Sequence, residues 1–120
     1  MTATNGRKFE NQASQLLRRS GLKIVVRNFS ARTGEIDIIA LEGNHLVFVE
    51  VRARSNPAYS SAAGSVDRHK QRRILQTAQL FLQKHPELAN LPCRFDVIAF
   101  EPPQSSTERH INWIRSAFCA

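Results

Sequence analysis

Long apolar runs are missing from this chain of 120 residues. Nothing in it approaches the ~18 consecutive apolar residues that a membrane-spanning helix needs. The first thirty residues also lack a continuous apolar segment of signal-peptide length. The expectation is a cytosolic, cytoplasmic protein with no membrane partner. Cysteine is nearly absent: Cys93 and Cys119 stand far apart with no CxxC or Cys/His spacing. Neither a disulfide framework nor a zinc site is indicated, and Cys93, opening an apolar run, reads as a buried thiol. Internal repeats and low-complexity tracts are missing too. Acidic residues are in deficit, ten Asp and Glu against seventeen Lys and Arg, for a net charge of +7 and a pI near 10.5. Such an excess attracts polyanions, nucleic acid above all, although an anionic membrane surface has the same charge. Charge gives the class of partner, not the chemistry.

At 13.6 kDa the chain fits one domain, residues 1–120, with a single core of two or three layers and no need of covalent staples. Asn5 can cap a first helix in which Phe9, Ala13, Leu16 and Leu17 recur on one face, and Gly21 ends it. Glu10 lies at the border of that stripe, placed either to reach over the edge of the packed layer or simply to favour the helix dipole. Leu22 to Phe29 reads as a first strand, and Ser30 to Gly34 as a turn.

Next comes the stretch GEIDIIALEGNHLVFVEVRAR, from Gly34 to Arg54. Two apolar runs flank Gly43-Asn44, where glycine can take the positive φ of a tight hairpin. With the turn centred there, residues whose numbers sum to 87 face each other, so Asp37 falls opposite Glu50. Side-chain alternation puts both acids on one face with Ile39, Leu41, Leu46, Phe48 and Arg52. Opposed like charges, with Cβ atoms roughly 5 Å apart, destabilise a sheet. The pair must therefore share a proton, meet a cation such as Arg52, or bind a hard divalent ion.

Residues 55–64 carry no periodic pattern and read as a loop, either a connector or a cover for a ligand with Tyr59 as a stacking side chain. Ser65 can cap a second helix running to His85, stopped by Pro86. Ile74, Ala78, Phe81 and Leu82 give its buried stripe, and Lys70 falls on the same face. Its first turns carry Arg68, Lys70, Arg72 and Arg73, against the sense of the macrodipole. Phosphate contacts would account for that, as would simple solvation. Leu91 to Phe100 makes a fourth strand, interrupted by Asp96 and parallel to the third through a βαβ step. A proline loop, a short strand from Ile111 to Ile114, and Ala117-Phe118 tucked on the core complete the chain. The fold class is α/β, with a mixed central sheet flanked by helices and a short extra C-terminal strand.

An acid in the first helix, an acid on the second strand and Glu-x-cation on the third resemble the PD-(D/E)xK nuclease superfamily, which includes restriction endonucleases and Holliday junction resolvases. More closely, GRKFENQASQLLRRSGLKIVVRNF, GEIDIIA, FVEVRAR, SVDRHKQRRILQTAQLFL, CRFDVIAF and INWIRSAF resemble, in order, the YraN family of bacterial proteins. The resemblance implies a restriction endonuclease-like αβββαβ core and hydrolysis of nucleic-acid phosphodiesters with Mg²⁺ or Mn²⁺. Asp37 and Glu50 are then the metal carboxylates, the main-chain carbonyl of Val51 a further ligand, and Glu10 the first-helix acid near the metal. The partner it implies is nucleic acid, DNA foremost, and resolvase relatives act as dimers, which makes a homodimer through the apolar tail near Phe118 an expectation. Asp37 arrives through GEID where the superfamily has Pro-Asp, and Arg52 stands in the place of its lysine. Arginine stays protonated and cannot remove a proton from water, so Arg52 can only clamp phosphate or stabilise developing charge. Lys70 is the candidate to take over the lysine role. Arg68, Arg72 and Arg73 are the expected contacts for flanking phosphates, with Arg32 and Arg54 adding to them. Two other classes fit the same residues: a nucleic-acid-binding protein that keeps the fold without turnover, and a scaffold in which Asp37, Glu50 and Arg52 form only an ion-pair network.

Overall fold

A computed structural model of the protein describes residues 3–53, 66–101 and 110–118, with side chains from residue 6 onward. Arg54, the 55–64 loop with Tyr59, Ser65, the prolines at 102 and 103, and Cys119 lie outside the described residues. The chain runs through helix α1 (Ala3–Arg19), strands β1 (Lys23–Ala31), β2 (Gly34–Glu42) and β3 (His45–Ala53), helix α2 (Arg68–Lys84), a short 3-10 turn (Pro86–Leu88), and strands β4 (Cys93–Phe100) and β5 (Ile111–Phe118). The strands form one mixed sheet in the order β1-β2-β3-β4-β5. This is the restriction endonuclease-like αβββαβ order with an added C-terminal strand.

The hairpin turns where the glycine directs it. Gly43 takes φ +60, and the β2–β3 register pairs Ile38 with Val49, Ile39 with Phe48, Leu41 with Leu46 and Glu42 with His45. β3 and β4 pair in parallel, Val49 beside Asp96, as the helical crossover requires. Each face of the sheet is closed by one helix. Ile74, Ala78 and Phe81 of α2 pack on Ile39, Leu46, Phe48, Phe95, Val97 and Ala99. Ala13 and Leu17 of α1 pack on Ile38, Ala40, Val47, Val49, Ile98 and Phe100 on the other face. The alternation of apolar residues in β2 and β3 is thus divided between two helices, which makes three layers.

Four details differ from the sequence reading. Asn5 falls inside α1, which begins at Ala3. The cap of α2 is Asp67, whose side chain accepts from the Lys70 N–H. Cys93 is exposed, because it precedes the covered part of β4 and its Sγ donates only to the Leu91 carbonyl at 3.4 Å. β5 extends to Phe118 instead of stopping at Ile114, and the cause is Asp96. That carboxylate is wholly buried and accepts from Arg94 Nε at 3.1 Å, Trp113 Nε1 at 3.0 Å and the Ser116 N–H at 2.9 Å. A buried charge needs such donors. Ser116 takes φ 51 to supply its own, which holds the end of β5 on the sheet so that Phe118 stacks on Phe95 at 5.2 Å.

Candidate functional site

The β2–β3 pairing stops at Ile38–Val49, one step short of the expected Asp37–Glu50 pair, and beyond it the Asp37 side chain is tied to β3 through the Val51 N–H. Both carboxylates line one cleft of about 340 Å³, together with Glu35, Lys70 and Arg73. Its wall on the α2 side is completed by Asp67, His69 and Ile74. Glu50 is only 5% exposed. The Val51 N–H donates to Asp37 Oδ2 at 2.8 Å, and Lys70 Nζ lies 2.6 Å from Glu50 Oε2. Lys70 arrives there because it stands four residues before the buried Ile74, on the stripe of α2 that faces the sheet.

Electrostatics set the character of the pair. Burial, and after it the Glu50 carboxylate, push the Asp37 carboxyl up to about 8, while the Val51 N–H pulls it down and the Glu10 charge adds a smaller push upward. Two acids this close do not both ionise freely without a cation. Lys70 supplies one positive charge, on the Glu50 side only.

Glu10 reaches the same neighbourhood from α1. Asn28 Nδ2 donates to both of its oxygens, at 2.9 and 3.1 Å, and Arg27 Nη2 lies 3.5 Å away. Asn28 adopts φ 56, a left-handed conformation that asparagine tolerates better than most side chains. Nothing in apolar periodicity marks Asn28, and the same is true of Glu35 and Asp67. Among the described residues no three His, Cys, Asp or Glu side chains gather as a metal-holding group. The donors set together are the Asp37 and Glu50 carboxylates, with Glu35 and Asp67 elsewhere on the cleft wall; all are oxygens, which suits a hard cation such as Mg²⁺ that keeps several waters, and not a zinc-type cage.

The expected cations are dispersed. Arg73 lines the cleft, and its Nε donates to the Thr33 carbonyl at 3.2 Å. Arg68 and Arg72 are exposed on α2 beside it. Arg52 is half-buried in β3, next to Ala99 of β4, and is not among the side chains that line the cleft. Arg32 borders a second groove, of about 280 Å³, on the far side of the Arg73–Thr33 contact. Val51, half-buried beside Ile98, contributes its N–H to Asp37.

A family model described as "Uncharacterised protein family UPF0102" matches residues 9–100. The chain belongs to this family. It is the same grouping as the YraN family that the sequence resembles. A UPF0102 protein of Alcanivorax borkumensis is 49% identical over 113 residues, covering 94% of this chain and 90% of its own. One of Stutzerimonas stutzeri is 47% identical over 115 residues, 96% of this chain and 94% of its own, and one of Pseudomonas aeruginosa is 40% identical over 115 residues, 96% and 92%. The UPF0102 match runs from Phe9 to Phe100 and so takes in Glu10, Asp37, Glu50 and Lys70.

Proposed function

We propose that the protein is a metal-dependent nuclease that hydrolyses phosphodiester bonds of nucleic acid. One observation carries this reading: Asp37 and Glu50 line a single cleft, with Lys70 Nζ 2.6 Å from Glu50 and a basic stretch of helix alongside. An acid pair of this kind, costly to the fold, has an evident use if a divalent cation takes its place among the charges.

Asp37 and Glu50 would hold Mg²⁺ or Mn²⁺, with the Val51 carbonyl and Glu10 as further contacts, and the ion would contribute charge neutralisation and a more acidic water. Asp37 would have to be deprotonated to hold the ion, since proton and metal would compete for the same oxygens. Lys70, already on the rim of the pair, orients the attacking water and steadies the charge that builds on the phosphate oxygens. Arg73 and then Arg72 and Arg68 hold the phosphates on either side, with Arg52, Arg54 and Arg32 as outer contacts. The water oxygen forms the new P–O bond as one bridging P–O bond breaks, the water's proton passing to solvent and the leaving oxygen taking one from solvent.

The test is cleavage of labelled DNA and RNA with added Mg²⁺ or Mn²⁺. The wild-type protein cleaves only with metal, and Asp37→Ala and Glu50→Ala proteins that still fold do not. Cleavage in chelator, or unchanged rates in both variants, refutes the reading. The second reading is a nucleic-acid-binding protein without turnover, favoured by Arg52 standing outside the cleft in the motif's lysine position. Tight, strongly salt-dependent binding with no cleavage under any divalent metal would select it.

A further inference from the structure

Beyond the acid pair, α2 presents a second organised surface. Arg68, Arg72, Gln76, Gln79 and Gln83 follow one another at i, i+4, i+8, i+11 and i+15, and all five are exposed. At 100° per residue they make one stripe along the helix. Its character changes half-way, with cations beside the cleft and amides beyond. The amide half faces the groove of about 280 Å³, whose other wall is Arg32 and Thr33 at the β1–β2 turn and whose floor includes Leu80. The two cavities lie on either side of the contact between α2 and the β1–β2 turn, where Arg73 Nε donates to the Thr33 carbonyl at 3.2 Å and the Thr33 and Thr77 hydroxyls are 2.6 Å apart.

We propose that this groove is the track of a single-stranded nucleic-acid segment leading away from the acid cleft, with Gln76, Gln79 and Gln83 on the bases and Arg32 on the backbone. The inference rests on the nuclease reading for the site it leads from, and it adds the form of the substrate. Three primary amides each offer donors and acceptors, which is the chemistry of a base edge. A ladder of phosphates would call for more than one cation, and among the described residues that line the groove the cation is Arg32. Duplexes keep their Watson–Crick edges paired, whereas single strands present them. The volume, at the small end of ligand sites of roughly 300 Å³ and above, suits one nucleotide at a time. From Lys70 to Gln79 the helix rises by about 13 Å at ~1.5 Å per residue, which is about four nucleotides at the ~3.4 Å spacing of a stacked strand. A segment whose phosphate sits at the acid pair therefore has its bases in the groove a few nucleotides along. Leu80 gives the bases an apolar surface to lie on.

Fluorescence anisotropy in chelator, with a short labelled single strand as DNA and as RNA and with the same sequence as a duplex, tests this without requiring cleavage. Simultaneous replacement of Gln76, Gln79 and Gln83 by alanine, on the solvent side of the helix, weakens single-strand binding about tenfold for the loss of two or three hydrogen bonds and leaves duplex binding within about twofold. Arg32→Ala lowers the slope of log affinity against log salt by about one for the single strand. If the wild-type protein binds the single strand and the triple variant binds it equally well, or loses single strand and duplex alike, the track is wrong and the acid site is untouched. If the wild-type protein binds no single strand at low salt, the track is wrong, and metal-dependent cleavage decides the acid site separately.

Discussion

Asparagine at position 37 would keep an oxygen to accept the Val51 N–H while removing the charge that the cleft resists. In the folded protein the Asp37 carboxyl titrates at about 8, against an ordinary 3.8. Its folded value is raised, so between those two pH values the native state holds a proton that the unfolded chain has lost, and stability falls as pH rises through that window. Below about pH 4 the group is neutral in both states and the cost vanishes; above about pH 8 it is complete. At ~1.36 kcal/mol per decade the ceiling is roughly 6 kcal/mol, and because Glu50 shares the proton the cost belongs to the pair. Asp37→Asn should therefore be the more stable protein at about pH 8 in chelator, by at least about 1 kcal/mol, with the advantage shrinking toward about pH 4. Urea denaturation at a series of pH values measures it. A wild-type stability that is flat from about pH 5 to 8, or a variant that is less stable throughout, would show that the acids are not held against each other. Saturating Mg²⁺ should reverse the order at about pH 8, since it stabilises only the protein that keeps both carboxylates.

Lys70→Ala removes the cation that now competes for Glu50; divalent affinity should rise in calorimetry while phosphodiester cleavage falls by at least about tenfold. Trp113→Phe takes one donor from the buried Asp96 carboxylate and should cost about 1–3 kcal/mol in urea denaturation, with no change in metal binding. Gly43→Ala meets nothing within 4 Å, so its cost is purely conformational, about 1 kcal/mol for a side chain at φ +60.

Much of the fold was legible because two rules act locally and agree. A glycine at the turn fixed the pairing from Glu42–His45 to Ile38–Val49; there the paired register ends, and with Ile36 and Ile39 in one core and Ile38 in the other the strict period of two breaks beside Asp37. The period of the helices fixed Ala13 and Leu17 on one face and Ile74, Ala78 and Phe81 on the other. From these, the neighbourhood of Asp37, Glu50 and Lys70 could be read before any coordinates. Features set by a single long-range contact could not. Asp96 looked like an interruption in an apolar strand, yet its carboxylate is what Arg94, Trp113 and Ser116 converge on. Asn28 looked like any polar residue in β1, and only its left-handed backbone and its grip on Glu10 give it a role. Cys93 reads as apolar by type, but burial depends on what lies above it, and at the start of β4 the described residues leave it exposed. Arg52 alternates onto the face of Glu50 in sequence, while the cleft is closed from the helix side by Lys70 and Arg73 instead.

Titration with Mn²⁺, followed by paramagnetic broadening of the backbone amide spectrum at about pH 8, asks most directly whether the acid pair holds a divalent ion. Broadening that begins at Asp37, Glu50 and Val51 and disappears in Asp37→Asn is the predicted result. Broadening centred elsewhere, or the same pattern in the variant, would contradict the account.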